Sequence, residues 1–306
     1  MQTAPSPGIR IADRVRDAVA AGRPVLALES TILTHGLPRP RNLEVGLEAE
    51  AMVREAGVEP ATIGVVGGIP VVGLDERDIR RLCSTDGVVK ASTRDLPVAR
   101  AQGLDAGTTV AATAWLAHRA GIRVFSTGGL GGVHRGAGET FDESADLPTL
   151  AVTPITLVSA GVKSILDIAA TLERLETLGI TVVGYRTDRY PGFYVADSGF
   201  PVPARIESAA DGAALARARD ELGLASAVLV ANPIAESEQL DPDVHDRVLA
   251  EALQAADDAG ITGHDTTPFL LDFVQRATGG RSLEVNLAVY FGNARLGAEI
   301  ARELAG

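Results

Sequence analysis

Ile155-Thr156-Leu157-Val158-Ser159-Ala160-Gly161-Val162-Lys163-Ser164-Ile165-Leu166-Asp167-Ile168 changes character halfway along its length. The mostly apolar run from Ile155 to Ser159 reads as a buried strand, Ala160-Gly161 as a tight turn, and Ser164 onward as the first turn of a helix. Strand, turn and helix in that order form the unit of an α/β sheet with helices on its faces.

The same alternation extends in both directions. Ile11, Val15 and Val19 recur every fourth residue and predict a helix before a buried strand at Val25 to Leu28. Asn42 suits the cap of a helix through Ala56, which Gly57 would stop. Ile63 to Val66, Gly67-Gly68 and Ile69 to Leu74 read as a hairpin, with Pro70 pushing its second arm toward a sheet edge. Further strands are expected at Val88 to Ala91, Val124 to Thr127, Ile180 to Gly184 and Ala227 to Ala231. A final helix beginning near Ser282 carries Asn286 and Asn293, and the proline-rich, aromatic segment Tyr190 to Pro203 reads as a loop covering a site. No repeat, charge block or low-complexity run marks a boundary, so residues 1–306 are expected to form one domain.

With 46% hydrophobic residues, the chain can bury a large core without disulfides. Its one cysteine, Cys83, cannot form an internal disulfide, and no basic start followed by an apolar run precedes Ala4-Pro5-Ser6-Pro7, so a cytoplasmic location is expected. Its apolar runs fall far short of the roughly 20 residues that span a bilayer, which argues against a membrane partner. A net charge of -12 argues against a nucleic acid partner, whose backbone is bound by neutralising phosphates. A small phosphorylated ligand needs only a local cluster of cations and amides, so the acidic balance leaves it open.

Ligands of open α/β sheets gather at the carboxyl ends of strands. Four polar clusters fall there: Glu29-Ser30-Thr31, Lys90-Ala91-Ser92-Thr93-Arg94-Asp95, Ser126-Thr127-Gly128-Gly129 and Ser159 to Lys163. A helix starting just after Lys163 would set its amine, partly desolvated, at the positive end of a helix dipole. Both effects disfavour the ammonium form and favour a nucleophile able to form an imine with a sugar aldehyde. A surface lysine in a first helical turn fits the same position. Gly128 to Gly136 offers a backbone able to approach an anion, followed by His134 and Arg135, or else an ordinary glycine loop. Its spacing is not a dinucleotide fingerprint. Asp142, Glu143 and Asp146 suit a hard cation such as manganese or magnesium, or form a solvated acidic loop. His118, His245 and His264 read as structural or surface residues.

Together these segments resemble the pseudouridine-5'-phosphate glycosidase family, also called indigoidine synthase A-like, from about Val25 to Leu304. The resemblance rests on Ala27-Leu28-Glu29-Ser30-Thr31-Ile32, Lys90 through Pro97, Ala106 through Thr113, Thr127 through Leu147, Gly161 through Asp167, Ser198 through Pro203, Ala231-Asn232-Pro233-Ile234 and Gly279 through Leu283. It implies a three-layer α/β/α fold with a central mixed, largely parallel sheet, assembled as a homotrimer. Lys163 falls on the nucleophile that bonds ribose C1', Glu29 on the proton donor and Asp142 on the manganese ligand. Lys90, Thr109, Val110, Thr127, Ser144, Ala145 and Asp146 fall on substrate-binding positions, His134 beside the phosphate and Asn286 near the uracil. The family usually reads Ser-His-Gly-Met-Pro-Tyr-Pro where this chain has Thr34-His35-Gly36-Leu37-Pro38-Arg39-Pro40-Arg41, a difference expected to bear on base recognition.

The residue set matches the chemistry. An N- or O-glycoside has a leaving atom that accepts a proton and departs, and paired carboxylates suffice. A C-glycoside has none. An imine between Lys163 and ring-opened ribose 5-phosphate supplies an electron sink at C1', while Glu29 protonates the ring oxygen or the departing carbon. The expected substrate is thus a C-nucleoside monophosphate. A C-glycoside synthase joining ribose 5-phosphate to another aglycone is the first alternative, and a noncatalytic sugar-phosphate-binding protein the second.

Overall fold

The computed structural model describes residues 8–261 and 266–306, so His264 and the Ala4 to Pro7 segment lie outside the described residues. Among the described residues, eleven strands form one sheet: β1 Arg10–Ile11, β2 Val25–Leu28, β3 Glu59–Val66, β4 Ile69–Val72, β5 Val89–Ala91, β6 Ala106–Thr108, β7 Val124–Ser126, β8 Thr156–Ser159, β9 Thr181–Tyr185, β10 Arg205–Ile206 and β11 Val228–Ala231. Their order is β1-β4-β3-β2-β7-β8-β11-β9-β10, with β6 beside β3 and β5 beside β6. Every pair from β3-β2 to β9-β10 along this order is parallel, while β3-β4 and β3-β6 are antiparallel, giving the mixed, largely parallel α/β sheet expected. The central strands are buried on both faces, as continuous apolar runs such as Val-Leu-Ala-Leu in β2 require. One apolar cluster contains Ala27, Phe125, Leu157 and Leu229; the other contains their sequence neighbours Leu28, Val124, Val158 and Val230, as period-two alternation dictates.

Two local expectations need correction. The helix following β2 spans Arg41–Glu55, so Asn42 lies inside it. Its buried amide donates to the carbonyls of Leu33 and Cys83, pinning the helix to the turn before it and the helix after it. The Gly67-Gly68 hairpin forms with Val66 opposite Ile69, but its second arm is not the sheet edge, because β1 pairs with β4 at Val71 and Val72. Pro70 is tolerated because that two-residue strand does not reach it.

The long strand β3 places the site. Its first half pairs with β2, and its second half, at Gly64 and Val65, pairs with β6, which takes up the position that β2 vacates after Leu28. The chain turns away at Glu29 as β5 and β6 form a small wing over the end of β2.

Candidate active site

Beyond their last paired residues, the chains leaving β7 and β8 continue side by side. Thr127 N–H donates to Val158 O (3.0 Å), Ala160 N–H to Gly128 O (2.9 Å), Leu130 N–H to Gly161 O (3.1 Å) and Lys163 N–H to Leu130 O (3.1 Å). Asp167 N–H closes the series on Val133 O at 2.9 Å. Lys163 is therefore held by a prolonged ladder. The helix that follows spans Ile168–Thr177 with Asp167 as its N-cap, so the helix-dipole argument for the Lys163 amine does not apply. Gly161 permits the crossing: its φ of +81° disfavours other residues, and a Cβ there would lie 2.6 Å from Pro191 O.

The wing brings the second amine. Lys90 lies opposite Gly107 in the β5-β6 pair, and Ala91 opposite Thr108. Ser30, immediately after Glu29, bridges wing and sheet: its hydroxyl donates to Ile63 O (2.6 Å) and accepts from Thr108 N–H (3.0 Å). The chain next reaches Thr109, whose side chain caps the helix Val110–Arg119.

Lys163 and Asp146 are close enough to Glu29 and Lys90 to act on the charge of both. Burial holds the Glu29 carboxyl above the usual carboxylate range, opposed chiefly by the Lys163 ammonium, then by the hydrogen bond from Thr127 Oγ1 and more weakly by Lys90. The Lys90 amine is pushed below the ordinary lysine range. Its side chain reaches solvent, but crowding strips part of its hydration, and Lys163 adds like-charge repulsion; Asp146 and Glu29 act in the opposite direction. Asp146 is buried and braces two walls, one oxygen accepting from Ala111 N–H (2.8 Å) in the first turn of the Thr109-capped helix, the other from Gly131 N–H (2.8 Å).

The glycine loop is largely spent on structure. The amides of Leu130, Gly131, Val133 and His134 donate to Gly161 O, Asp146, Thr171 Oγ1 and Asp142 O, so they are not free to cradle an anion. A Cβ on Gly131 would overlap Ser144 and lie 2.8 Å from Asp146 Oδ2, so close packing accounts for that glycine. Ser144 N–H donates to Gly132 O, and Ala145 is half-buried beside it. His134 Nδ1 lies 3.8 Å from Asp142 Oδ2. No hydrogen bond or ion pair among the described residues joins this pair directly to Glu29 or either lysine. Nor do three or more His, Cys, Asp or Glu side chains converge as a metal cage among them. A half-exposed carboxylate with one imidazole nearby fits a hydrated hard cation that keeps most of its waters.

Asn286 Oδ1 faces Gly128, within 3.5 Å of where a Cβ there would sit. Two turns further along the same helix face, Asn293 is legible in the sequence only as a polar residue on the last helix. The structure buries it and makes it a brace, its amide donating to Thr127 O (2.8 Å) and Gly128 O (3.1 Å) and its oxygen accepting from Asn232 (2.9 Å). The covering loop is present as expected. Phe193 N–H donates to Ala160 O (3.2 Å), and its ring meets Tyr194 edge-on at 4.7 Å, a contact worth about 0.5–1.5 kcal/mol beyond area burial. Arg39 and Arg41, the departures near the base-recognition segment, are exposed and pair with Asp86 (2.7 Å) and Glu44 (3.0 Å). A cavity of about 380 Å³ lined by Asn232, Ile234, Phe291 and Asn293 contains neither lysine nor Glu29, and lies outside the charged cluster. His118 is exposed; His245 is buried against Tyr194.

One signal in the sequence points to this cluster without any alignment. Among 28 lysines and arginines, only Lys90 and Lys163 are lysines. The fold brings both to the same charged cluster, with Glu29 and Asp146.

Residues 14–303 match the family described as indigoidine synthase A like protein. The chain is 66% identical over 296 residues to a pseudouridine-5'-phosphate glycosidase of Saccharopolyspora erythraea, covering 97% of this chain and 98% of that one. It is 59% identical to one of Frankia alni, covering 96% and 81% respectively. Among solved structures it resembles the prealnumycin C-glycosynthase AlnA in complex with ribulose 5-phosphate, with a TM-score of 0.91, 40% identity and 98% of each chain covered. An indigoidine synthase A-like protein of Thermotoga maritima gives a TM-score of 0.89 at 36% identity, with 99% of each chain covered.

Proposed function

The chain belongs to the indigoidine synthase A like family, and we propose that it is a pseudouridine-5'-phosphate glycosidase, cleaving the C1'-C5 bond reversibly to ribose 5-phosphate and uracil. The observation that carries this reading is the meeting of a buried carboxyl, Glu29, with Lys163 across the end of β7, which lies between the strands that carry them. The names of relatives up to 66% identical support the same activity.

Glu29 has the environment of a general acid, since burial favours its protonated form. Its proton goes to the ribose ring oxygen as the C1'-O bond opens. The Lys163 amine then bonds to C1'. The C1'-C5 electron pair leaves with uracil, where a proton replaces it, and the nitrogen lone pair becomes the C1'=N bond. Water releases ribose 5-phosphate from this imine. Lys90, Thr109, Val110, Thr127, Ser144, Ala145 and Asp146 line the substrate's path in this reading, with His134 at the phosphate and Asn286 at the base. Asp142 would hold a divalent cation, manganese, which supplies positive charge opposite the sugar phosphate when bound. The working form is a cytoplasmic homotrimer; among the described residues no helix is long and apolar enough to cross a membrane.

The test is uracil release from pseudouridine 5'-phosphate with manganese. No uracil at high enzyme concentration would sink the reading. Borohydride with ribose 5-phosphate should add one sugar to the wild type and none to Lys163→Ala, a result that mere sugar-phosphate binding cannot give. A C-glycoside synthase is the second reading, favoured by the likeness to AlnA. Coupling of ribose 5-phosphate to an aromatic carbon nucleophile but not to uracil would select it.

A further inference from the structure

Wherever this chain needs only a positive charge, it uses arginine. The ion pairs along its surface are built from Arg10, Arg14, Arg54, Arg81, Arg123 and others, and no Lys side chain is in an ion pair among the described residues. Arginine keeps its proton at all accessible pH values, so it can hold an anion but cannot take up or release a proton. Lys163 needs a free electron pair to bond to carbon. Lys90 bonds to nothing in the reading above, yet it too is a lysine.

We propose that Lys90 is a catalytic residue that carries the proton for making and hydrolysing the Lys163 imine, not a fixed cation that only holds substrate. This rests on the imine reading of Lys163. In the hydrolytic direction, water forms a C-O bond at C1' of the protonated imine. The π pair of C1'=N moves to nitrogen, and the water's proton goes to the free amine of Lys90. The Lys90 ammonium then returns a proton to the carbinolamine nitrogen. The C1'-N bond breaks with its pair staying on Lys163, while the carbinol oxygen forms C1'=O and gives its proton to Lys90. One positive charge enters with the imine, and one remains, on Lys90, when the aldehyde is free. In the reverse direction the same transfers build the imine.

The geometry suits this relay. Lys163 is fixed by its backbone to Leu130, and Lys90 by its strand pairing to Gly107, so the two residues come from different ladders, and both act on the Glu29 carboxyl. The charged or titratable groups facing Lys90 are Lys163, Asp146, Glu29 and, from the turn after β2, His35, which burial first and Lys90 second push down. Crowding and the neighbouring ammonium favour the neutral amine, while the two carboxyls act against it.

Two measurements test the proposal. In Lys90→Arg the charge stays and the carrier is lost: kcat should fall at least about 100-fold, the size of a lost acid-base group. KM should stay within about threefold, as expected for a transition-state contribution, with near-ultraviolet circular dichroism unchanged. Converting Lys90→Cys to its aminoethyl thioether, whose amine is more acidic than lysine's, should restore turnover and move the alkaline half of the pH profile to lower pH. Independently, a protein labelled at lysine Cε shows two carbon signals, and the one lost in Lys90→Arg should titrate below the ordinary ~10.4 of lysine. If the wild type is trapped by borohydride at Lys163 while Lys90→Arg turns over at wild-type kcat, this proposal is overturned and the imine reading stands. If the wild type gives no adduct, the imine reading falls and takes this proposal with it.

Discussion

Glu29 holds its proton where loss of that proton is penalised, and the penalty falls on the folded protein. Its carboxyl is raised by burial above the ordinary 4.5, so the folded form binds the proton more tightly than the unfolded chain does. That contribution to stability is complete below about 4.5 and is lost as pH rises through the folded value. Glu29→Gln, which imitates the protonated form, should therefore melt higher than the wild type at pH 8, with the difference vanishing toward pH 4. Uracil release should fall about 10²- to 10⁴-fold with the acid gone. Thermal melts across pH, paired with kcat, check both halves; a variant less stable at pH 8 would contradict the burial argument. The positions of Glu29 and Lys163 were legible because they end apolar runs. The electrostatics were not: the pattern placed a helix at Ser164, whereas Ser164 to Asp167 is taken up by the ladder's last bonds and by a cap, and the helix begins at Ile168.

At the level of elements, the central strands β2, β7, β8, β9 and β11 were legible to within a residue or two, because runs such as Val228–Ala231 are apolar on both faces, whereas β3 begins four residues before the expected Ile63 and the two-residue strands β1 and β10 were not read. The strand β6 was hidden in Ala-Gly-Thr, a run whose strand character comes from its neighbours β3 and β5 and not from its own side chains. The role of the last helix was also hidden, since an asparagine on an amphipathic surface carries no sign of what it will meet. In Asn293→Ala, Thr127 O, Gly128 O and the Asn232 amide lose their partner together. The expected cost is roughly 2–4 kcal/mol in chemical denaturation, because buried polar groups are left unpaired. Since Thr127 also donates to Glu29, kcat should fall too. A variant with native stability would show that the helix does not hold the end of β7 in place.

Across the whole molecule, the mixed sheet divides its labour. The parallel centre presents Glu29, Thr127 and Lys163 from successive strand ends, while the antiparallel side built on β3 swings Lys90 over them. Nothing local in the sequence says that a residue near position 90 and one near 163 meet; that follows from strand order. The trimer expectation belongs at this scale as well. Sedimentation equilibrium should return three times the 31.7 kDa chain mass, and a concentration-independent value near one chain would remove it.

The convergence of the only two lysines has a practical consequence at the bench. Most proteins scatter their amines over the surface, so coupling through them to a resin, a dye or a sensor chip is nearly harmless. Here every lysine-directed ester or aldehyde that reaches a side chain has one destination, the charged cluster around Glu29 and Asp146. Immobilised that way, the protein would be tethered by its own chemistry and silenced; saturating it first with a sugar phosphate should spare it.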